Sequence, residues 1–296
     1  MQIQSLSIVV PNRQCINHCA SCPSRMHDND YQFLFDPLEP DFDIYLADYL
    51  KRLEYARDNG CNTVMLTGTS EPQQNRNFLT LFGMMMKMMK NPFRSIEMQC
   101  TGILLDKDYL RFLHRHVGLT MLALSVFSLN TEQNAAIINP PKSANTYLDP
   151  HDVACMAKQE GLSVRLCLNL TKHFDVFADN PEALFRNMKN AWKADQLTLR
   201  CLYAGNDDCP ENVWVRENAA RPETVRSLKQ YIRQNGTPLG RLPYGAVKYA
   251  VNGMSVVLDD DSMGKVPDIP DSYKYLILRP DCRLYSSWDE PGSLVL

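Results

Sequence analysis

No run of about 18 apolar residues occurs in the 296-residue chain, so it offers no candidate membrane-spanning helix. Strong charge imbalance is missing too. Its 31 basic and 34 acidic side chains leave a formal charge of −3, with a pI near 6.1, so no global field draws nucleic acid or an anionic membrane to it. Met1–Gln2–Ile3–Gln4 does not begin a secretory signal. With no such signal, ten cysteines point to a reducing, cytoplasmic setting, where thiols serve as ligands or core fillers. Paired CxxC clusters are absent among Cys61, Cys100, Cys155, Cys167, Cys201, Cys209 and Cys282, and burial is the reading for those that lie in apolar strands. Core material is ample, with 45% hydrophobic and 9% aromatic residues.

The other three cysteines stand together. Gln14–Cys15–Ile16–Asn17–His18–Cys19–Ala20–Ser21–Cys22–Pro23 has the spacing C-x3-C-x2-C and follows the β-branched run Leu6–Val10, which Pro11–Asn12 breaks. The thiols therefore stand on a loop leaving a strand. Three thiolates so close in sequence suit one soft metal centre such as an iron–sulfur cluster. Three also leaves a cubane one ligand short, and an open metal position is where chemistry happens. A zinc site completed by His18, or unrelated thiols, are the alternatives.

A second loop follows one unit later. Asp41–Asn59 carries a helical stripe at Leu46, Tyr49, Leu50, Leu53 and Ala56, closed by Gly60, and Thr63–Leu66 reads as a strand. At its end, Thr67–Gly68–Thr69–Ser70–Glu71–Pro72 holds a flexible glycine and a carboxylate set extended by the following proline. An ordinary Ser/Thr turn explains the same residues. The alternation continues through helix Phe78–Met89, strand Ile96–Cys100, helix Asp106–His116, strand Leu119–Phe127, helix Asp149–Gln159, strand Val164–Leu170, helix Ala183–Trp192 and strand Leu197–Tyr203. The methionines of Phe78–Met89 read as core filling. Tyr31–Pro40 and Asn139–Lys142 read as connectors. Arg165 and Asn169 share one strand face, where a bound carboxylate or ribose is a fitting partner. Ligands gather at the carboxyl ends of such strands.

These features together resemble the radical S-adenosylmethionine (radical SAM) superfamily over roughly residues 5–235. The cysteine loop resembles its cluster-binding loop, with Ser21 where an aromatic residue usually precedes the third cysteine. Gly68-x-x-Glu71-Pro72 resembles its glycine-rich element in a looser form. The resemblance implies an α/β fold, a partial (βα)6 TIM barrel open on one side to substrate. It implies a [4Fe–4S] cluster on Cys15, Cys19 and Cys22, and S-adenosyl-L-methionine held by Gly68, Thr69, Ser70 and Glu71, with the Glu71 loop at its amino group. Ser125 and Ser128, at the edge that meets its ribose and carboxylate, are further candidates, with turn capping before Asn130–Thr131–Glu132 as the alternative. Arg165 and Asn169 complete the candidate set. A reducing partner such as flavodoxin or ferredoxin is implied as well. The expected activity is cleavage of S-adenosylmethionine to a radical that takes hydrogen from a small-molecule substrate, a nucleotide or a biosynthetic intermediate. Alternatives are a peptide- or RNA-modifying enzyme of the same superfamily, and a non-catalytic iron–sulfur or zinc protein.

The core is read as residues 1–236, and 237–296 as a small β extension packed on the open side or bottom of the barrel. Its strands are Ala246–Val251, Ser255–Leu258, Tyr275–Leu278 and Arg283–Ser286, with breaks at Asp259–Asp261 and Pro280–Asp281 and a hairpin signal at Asn252–Gly253. With only Cys282 in this tail, a single cluster is expected. Gly205–Pro222, with Asp207, Asp208, Trp214 and Arg216, reads as a lid, substrate wall or plain surface loop before helix Glu223–Asn235. Substrate is expected between the barrel mouth, this loop and the tail, where Arg216, Arg279 and Arg283 are candidate anion clamps.

Overall fold

The computed structural model describes residues 2–26, 42–141, 149–241, 246–259, 272–288, 290 and 292–296. The expected connector at 31–40 and the break at 260–261 lie outside the described residues. In chain order the elements are β1 (Gln2–Val9), α1 (Pro23–Met26), α2 (Phe42–Asp58), β2 (Thr63–Thr67), α3 (Arg76–Met88), β3 (Ser95–Cys100) and α4 (Lys107–Phe112). There follow β4 (Met121–Val126), α5 (Thr131–Ile138), α6 (Pro150–Gln159), β5 (Ser163–Leu170), α7 (Pro181–Asn190) and β6 (Gln196–Cys201). The remainder is α8 (Pro210–Asn218), α9 (Pro222–Asn235), β7 (Thr237–Arg241), β8 (Val247–Val251), β9 (Met254–Asp259), β10 (Ser272–Leu278) and β11 (Leu284–Tyr285).

Local chemistry sets the helix starts. Asn75, Asp106, Asn130, Asp149 and Asn180 each accept a backbone N–H of the first turn, opening α3 to α7 in sequence. Proline begins α6, α7, α8 and α9, where its missing N–H costs nothing. A π-turn at Leu113–Val117 extends α4, closed by Gly118 at φ 82°.

Strands β1 to β6 lie side by side in chain order and run parallel. Alternate residues along them, among them Leu6, Ile8, Val64, Leu66, Met98, Leu124, Leu166 and Leu199, belong to one buried apolar cluster with the helices. The intervening residues include Ser5, Ser7, Thr67, Glu97, Gln99, Ser125, Arg165, Asn169, Thr198 and Arg200 beside Val9, Met65, Met121, Ala123 and Cys167, so the opposite face of the sheet is the more polar one.

The sheet is not closed, and this gives the partial barrel expected from the sequence. The tail does more than cover an opening. Strand β9 pairs parallel with β6, β8 and β7 follow antiparallel through the Asn252–Gly253 hairpin, β10 pairs parallel with β1, and β11 folds back on β10. The resulting order is β11-β10-β1-β2-β3-β4-β5-β6-β9-β8-β7, so tail strands extend both edges of one sheet. The sequence reads these strands as a small β extension packed on the open side or bottom of the barrel, but the edges of β1 and β6 take them up as further strands.

Candidate functional site

Strand β1 delivers the chain to the three-thiol loop. Cys15, Cys19 and Cys22 are all half-buried. Burial pushes the Cys15 thiol up. Cys19 is held well above its ordinary value by burial first, then by the charges of Cys22, Glu71 and Cys15. The thiols and Glu71 thus share one electrostatic neighbourhood. The N–H groups of Arg25 and Met26 donate to Cys22 O at 3.1 and 3.2 Å, turning the chain into α1. His18 Nδ1 is engaged by the Arg25 guanidinium. Among the described residues no group of three or more His, Cys, Asp and Glu side chains is set to hold one metal ion. Thiolates are the ligands of iron–sulfur clusters, and a cubane spreads three of them over three irons, so this donor set fits that group.

The loop is held from three sides. His18 N donates to the Ile138 and Asn139 carbonyls, both at 3.2 Å, and Ala20 N to Ile137 O at 2.9 Å, at the end of α5. Cys19 packs with Phe127, Ile137, Ile138, Leu202 and Trp214 in a small apolar cluster. Trp214 lies on α8, which also places Glu211 3.9 Å from Arg25. The segment 205–222 is therefore not a loop. The signal that finds its helix is Pro210 at the first helical position with Glu211 in the first turn.

The third side is the second loop. Gly68 has φ +149°, and a Cβ there would meet Val10 N and Val9 Cγ1 at 3.4 Å, so only glycine lays this loop on the end of β1. Asn12 Nδ2 donates to Ser70 Oγ at 2.8 Å and to Glu71 O at 3.3 Å. Thr69 beside them is half-exposed. Glu71 has the extended backbone that its setting before proline predicts, with φ −72° and ψ 117°. Its side chain is buried, with Asn17 Nδ2 on Oε1 at 3.2 Å, and Gln73 Nε2 and Thr101 N on Oε2 at 2.7 and 2.9 Å. All three donors are neutral, and no salt bridge reaches Glu71 among the described residues. Burial raises its pKa, against which the Thr101, Gln73 and Asn17 hydrogen bonds act. The buried Asn17 Oδ1, Gln73 Oε1 and Ser21 Oγ have no hydrogen-bond partner among the described residues.

The other candidates divide. Ser125 sits on the polar face of β4, half-buried, and Asn169 lies near the end of β5, buried with Nδ2 3.4 Å from Cys167 O. Ser128 Oγ donates to Gln133 Oε1 at 2.7 Å and accepts Asn130 N at 3.1 Å, the capping role. Arg165 stands lower on β5 and grips Glu97 at 2.6 and 3.2 Å and Gln196 Oε1 at 3.0 and 2.7 Å. The shared strand face is as expected, but the four-residue spacing, roughly 13 Å along a strand, separates Arg165 from the mouth. Arg216 donates to Gly205 O, Asp207 O and Asp208. Arg279 is fully buried, donating to Ser287 O and Trp288 O at 3.1 and 2.9 Å over the Tyr285 ring. Both arginines hold the chain itself. Sequence reading misses Asn12, Asn17, Gln73, Gln74 and Thr101, whose signal is an amide-rich run after Glu71–Pro72 facing asparagines of the cysteine loop.

No family model matches the chain, and no curated protein matches its sequence. Solved structures do match its fold. Native anSMEcpe with bound AdoMet superposes with a TM-score of 0.60 at 14% identity, covering 98% of this chain and 76% of that one. SuiB of Streptococcus suis bound to S-adenosylmethionine gives 0.60 at 12% identity, covering 98% and 61%. SuiB bound to precursor peptide SuiA gives 0.56 at 13% identity, covering 97% and 60%. At these identities the likeness is one of fold, and the chain spans about three-fifths of the length of SuiB.

Proposed function

We propose that this chain is a radical SAM enzyme, with Cys15, Cys19 and Cys22 holding a [4Fe–4S] cluster and S-adenosylmethionine lying against Gly68, Thr69, Ser70 and Glu71. The observation that carries the reading is Glu71. A fully buried carboxylate with neutral donors alone is costly, and it asks for a cation. It lies near the Cys15 and Cys19 thiols, and S-adenosylmethionine brings both an ammonium and a sulfonium. The orphan acceptors Asn17 Oδ1 and Gln73 Oε1 offer further oxygens to an ammonium's hydrogens. The superposed structures with bound AdoMet support the same reading.

A [4Fe–4S] cluster held by Cys15, Cys19 and Cys22 would supply the one-electron reduction of S-adenosylmethionine on which radical hydrogen abstraction depends. The chain's own residues bind, orient and shield. Gly68 brings the second loop onto β1, Ser125 and Asn169 offer polar contacts near the strand ends, and Trp214 excludes water on the Cys19 side. We assign the electron to a flavodoxin- or ferredoxin-type donor and the hydrogen to a small-molecule substrate entering from the open side. Residues 1–236 form the cofactor core in this reading, and 237–296 and the α8 segment shape specificity. A peptide substrate is the second reading, favoured by the likeness to SuiB with its precursor peptide. Fractionated cell extract tests the two. The low-mass filtrate should stimulate 5′-deoxyadenosine release, whereas stimulation by the retained fraction alone transfers the assignment to peptide.

A further inference from the structure

Gln74 has no place in the cofactor contacts above, yet it grips the cysteine loop at two points. It ends a single 3-10 turn, Pro72–Gln74, that directly follows Glu71. Its Oε1 accepts Ile16 N at 2.9 Å and its Nε2 donates to Gln14 O at 3.0 Å. Those backbone groups flank Cys15, so one side-chain amide clamps the peptide on both sides of the first thiol, as a strand neighbour would. Around it, Asn75 Nδ2 donates to Pro11 O at 2.7 Å while Asn75 Oδ1 caps α3 by accepting Phe78 N at 2.9 Å. Tyr109 Oη fixes the same turn by donating to Gln73 O at 2.7 Å. The clamp therefore stands on a braced turn, and its target loop is otherwise free of regular secondary structure until α1.

We infer that Gln74 is a positioning residue for Cys15, the turn carrying Glu71 setting the direction of the first thiol through this amide. The inference rests on the proposed function for its meaning but not for its geometry. A two-point clamp needs both a donor and an acceptor, which glutamine supplies at neutral pH and neither glutamate nor leucine does. Leucine loses both bonds at similar volume. Glutamate keeps the acceptor for Ile16 N and sets a second acceptor against Gln14 O.

The test uses the full-length protein in two forms. In the metal-free chain, site-resolved alkylation by iodoacetamide reads the freedom of each thiol. Gln74→Leu should speed modification of Cys15 roughly fivefold or more, the weight of one neutral hydrogen bond, with Cys19 and Cys22 unchanged. Gln74→Glu should show the same selectivity to a smaller degree, and it covers the case in which the leucine variant does not fold. In the anaerobically reconstituted protein, Gln74→Leu should keep its iron but change the electron paramagnetic resonance signal of the reduced cluster. Equal alkylation of Cys15 in wild type and both variants overturns the inference, as does a uniform rise at all three thiols, which marks general loosening. A wild-type protein that takes up no cluster while Cys15 alone is freed in the variants would remove the proposed function and leave the clamp standing.

Discussion

Two buried side chains frame the site, and each makes a measurable claim. Glu71 gathers Asn17, Gln73 and Thr101 around one carboxylate with no cation beside it among the described residues. If a bound ammonium completes it, Glu71→Gln should weaken S-adenosylmethionine binding roughly tenfold while cluster iron is retained, because a charged hydrogen bond is worth about 1.5–3 kcal/mol. Unchanged affinity by calorimetry removes Glu71 from the cofactor contacts. Tyr109 lies beneath the same turn, and burial pushes its hydroxyl up to about 12. The folded state therefore favours the neutral phenol. This stability is fully present below the unfolded pKa near 10 and is lost as pH rises from about 10 through 12. Tyr109→Phe should cost about 1 kcal/mol at neutral pH through the lost bond to Gln73 O. It should also flatten alkaline unfolding relative to wild type, and identical curves would contradict the assignment. At this scale the cysteines and Glu71 were legible because their spacing is chemistry in itself. The amides around them were not, since Gln74 and Asn17 gain meaning only when residues 58 and 54 positions apart are brought together.

Elements fix where those residues sit, and small residues decide how closely elements approach. Gly83 is inside α3, and a Cβ there would collide with the His116 carbonyl, with His116 C and Val117 Cα at 3.0 Å. Gly83→Ala should destabilise the protein by about 1–3 kcal/mol through this overpacking despite alanine's better helix propensity, a sign that denaturant unfolding reads directly. A stabilised variant would show that α3 and the π-turn are not in contact. The helix itself was legible from its apolar stripe, and Met85, Met86 and Met89 are core as expected. Met84 and Met88 are more than half exposed, because five methionines in six positions cannot all face one side. Helix α8 was hidden by its polar surroundings, since Asn212, Asp207 and Gly205 bond among themselves rather than to a stripe partner.

The whole molecule is one open sheet whose first strand, carrying the thiol loop, is flanked by a strand from the far end of the chain. Ser5 Oγ donates to Lys274 O at 3.2 Å, and Leu6 and Ile8 stand opposite Leu276 and Leu278. The order β1 to β6 was readable because each βα unit repeats the last. The edge positions of the tail strands were not, as pairing across 269 residues leaves no local periodicity. Removal of residues 281–296 unpairs β11 from β10 and strips Arg279 of the Ser287 and Trp288 carbonyls. That truncation should lower thermal stability by several kcal/mol, since it removes the buried Leu284 and Tyr285 side chains, each worth about 1.5–3 kcal/mol. An unchanged unfolding midpoint would make the tail dispensable to the fold. The account turns on whether the three-thiol loop performs radical chemistry. The measurement is anaerobic reconstitution with iron and sulfide, addition of dithionite and S-adenosylmethionine, and chromatography for 5′-deoxyadenosine. Wild type should show the cluster's visible absorption and release 5′-deoxyadenosine, and replacement of Cys15, Cys19 or Cys22 by alanine should abolish both. A triple alanine variant that still holds a full cluster's iron, or a fully loaded wild type that releases no 5′-deoxyadenosine, would contradict it.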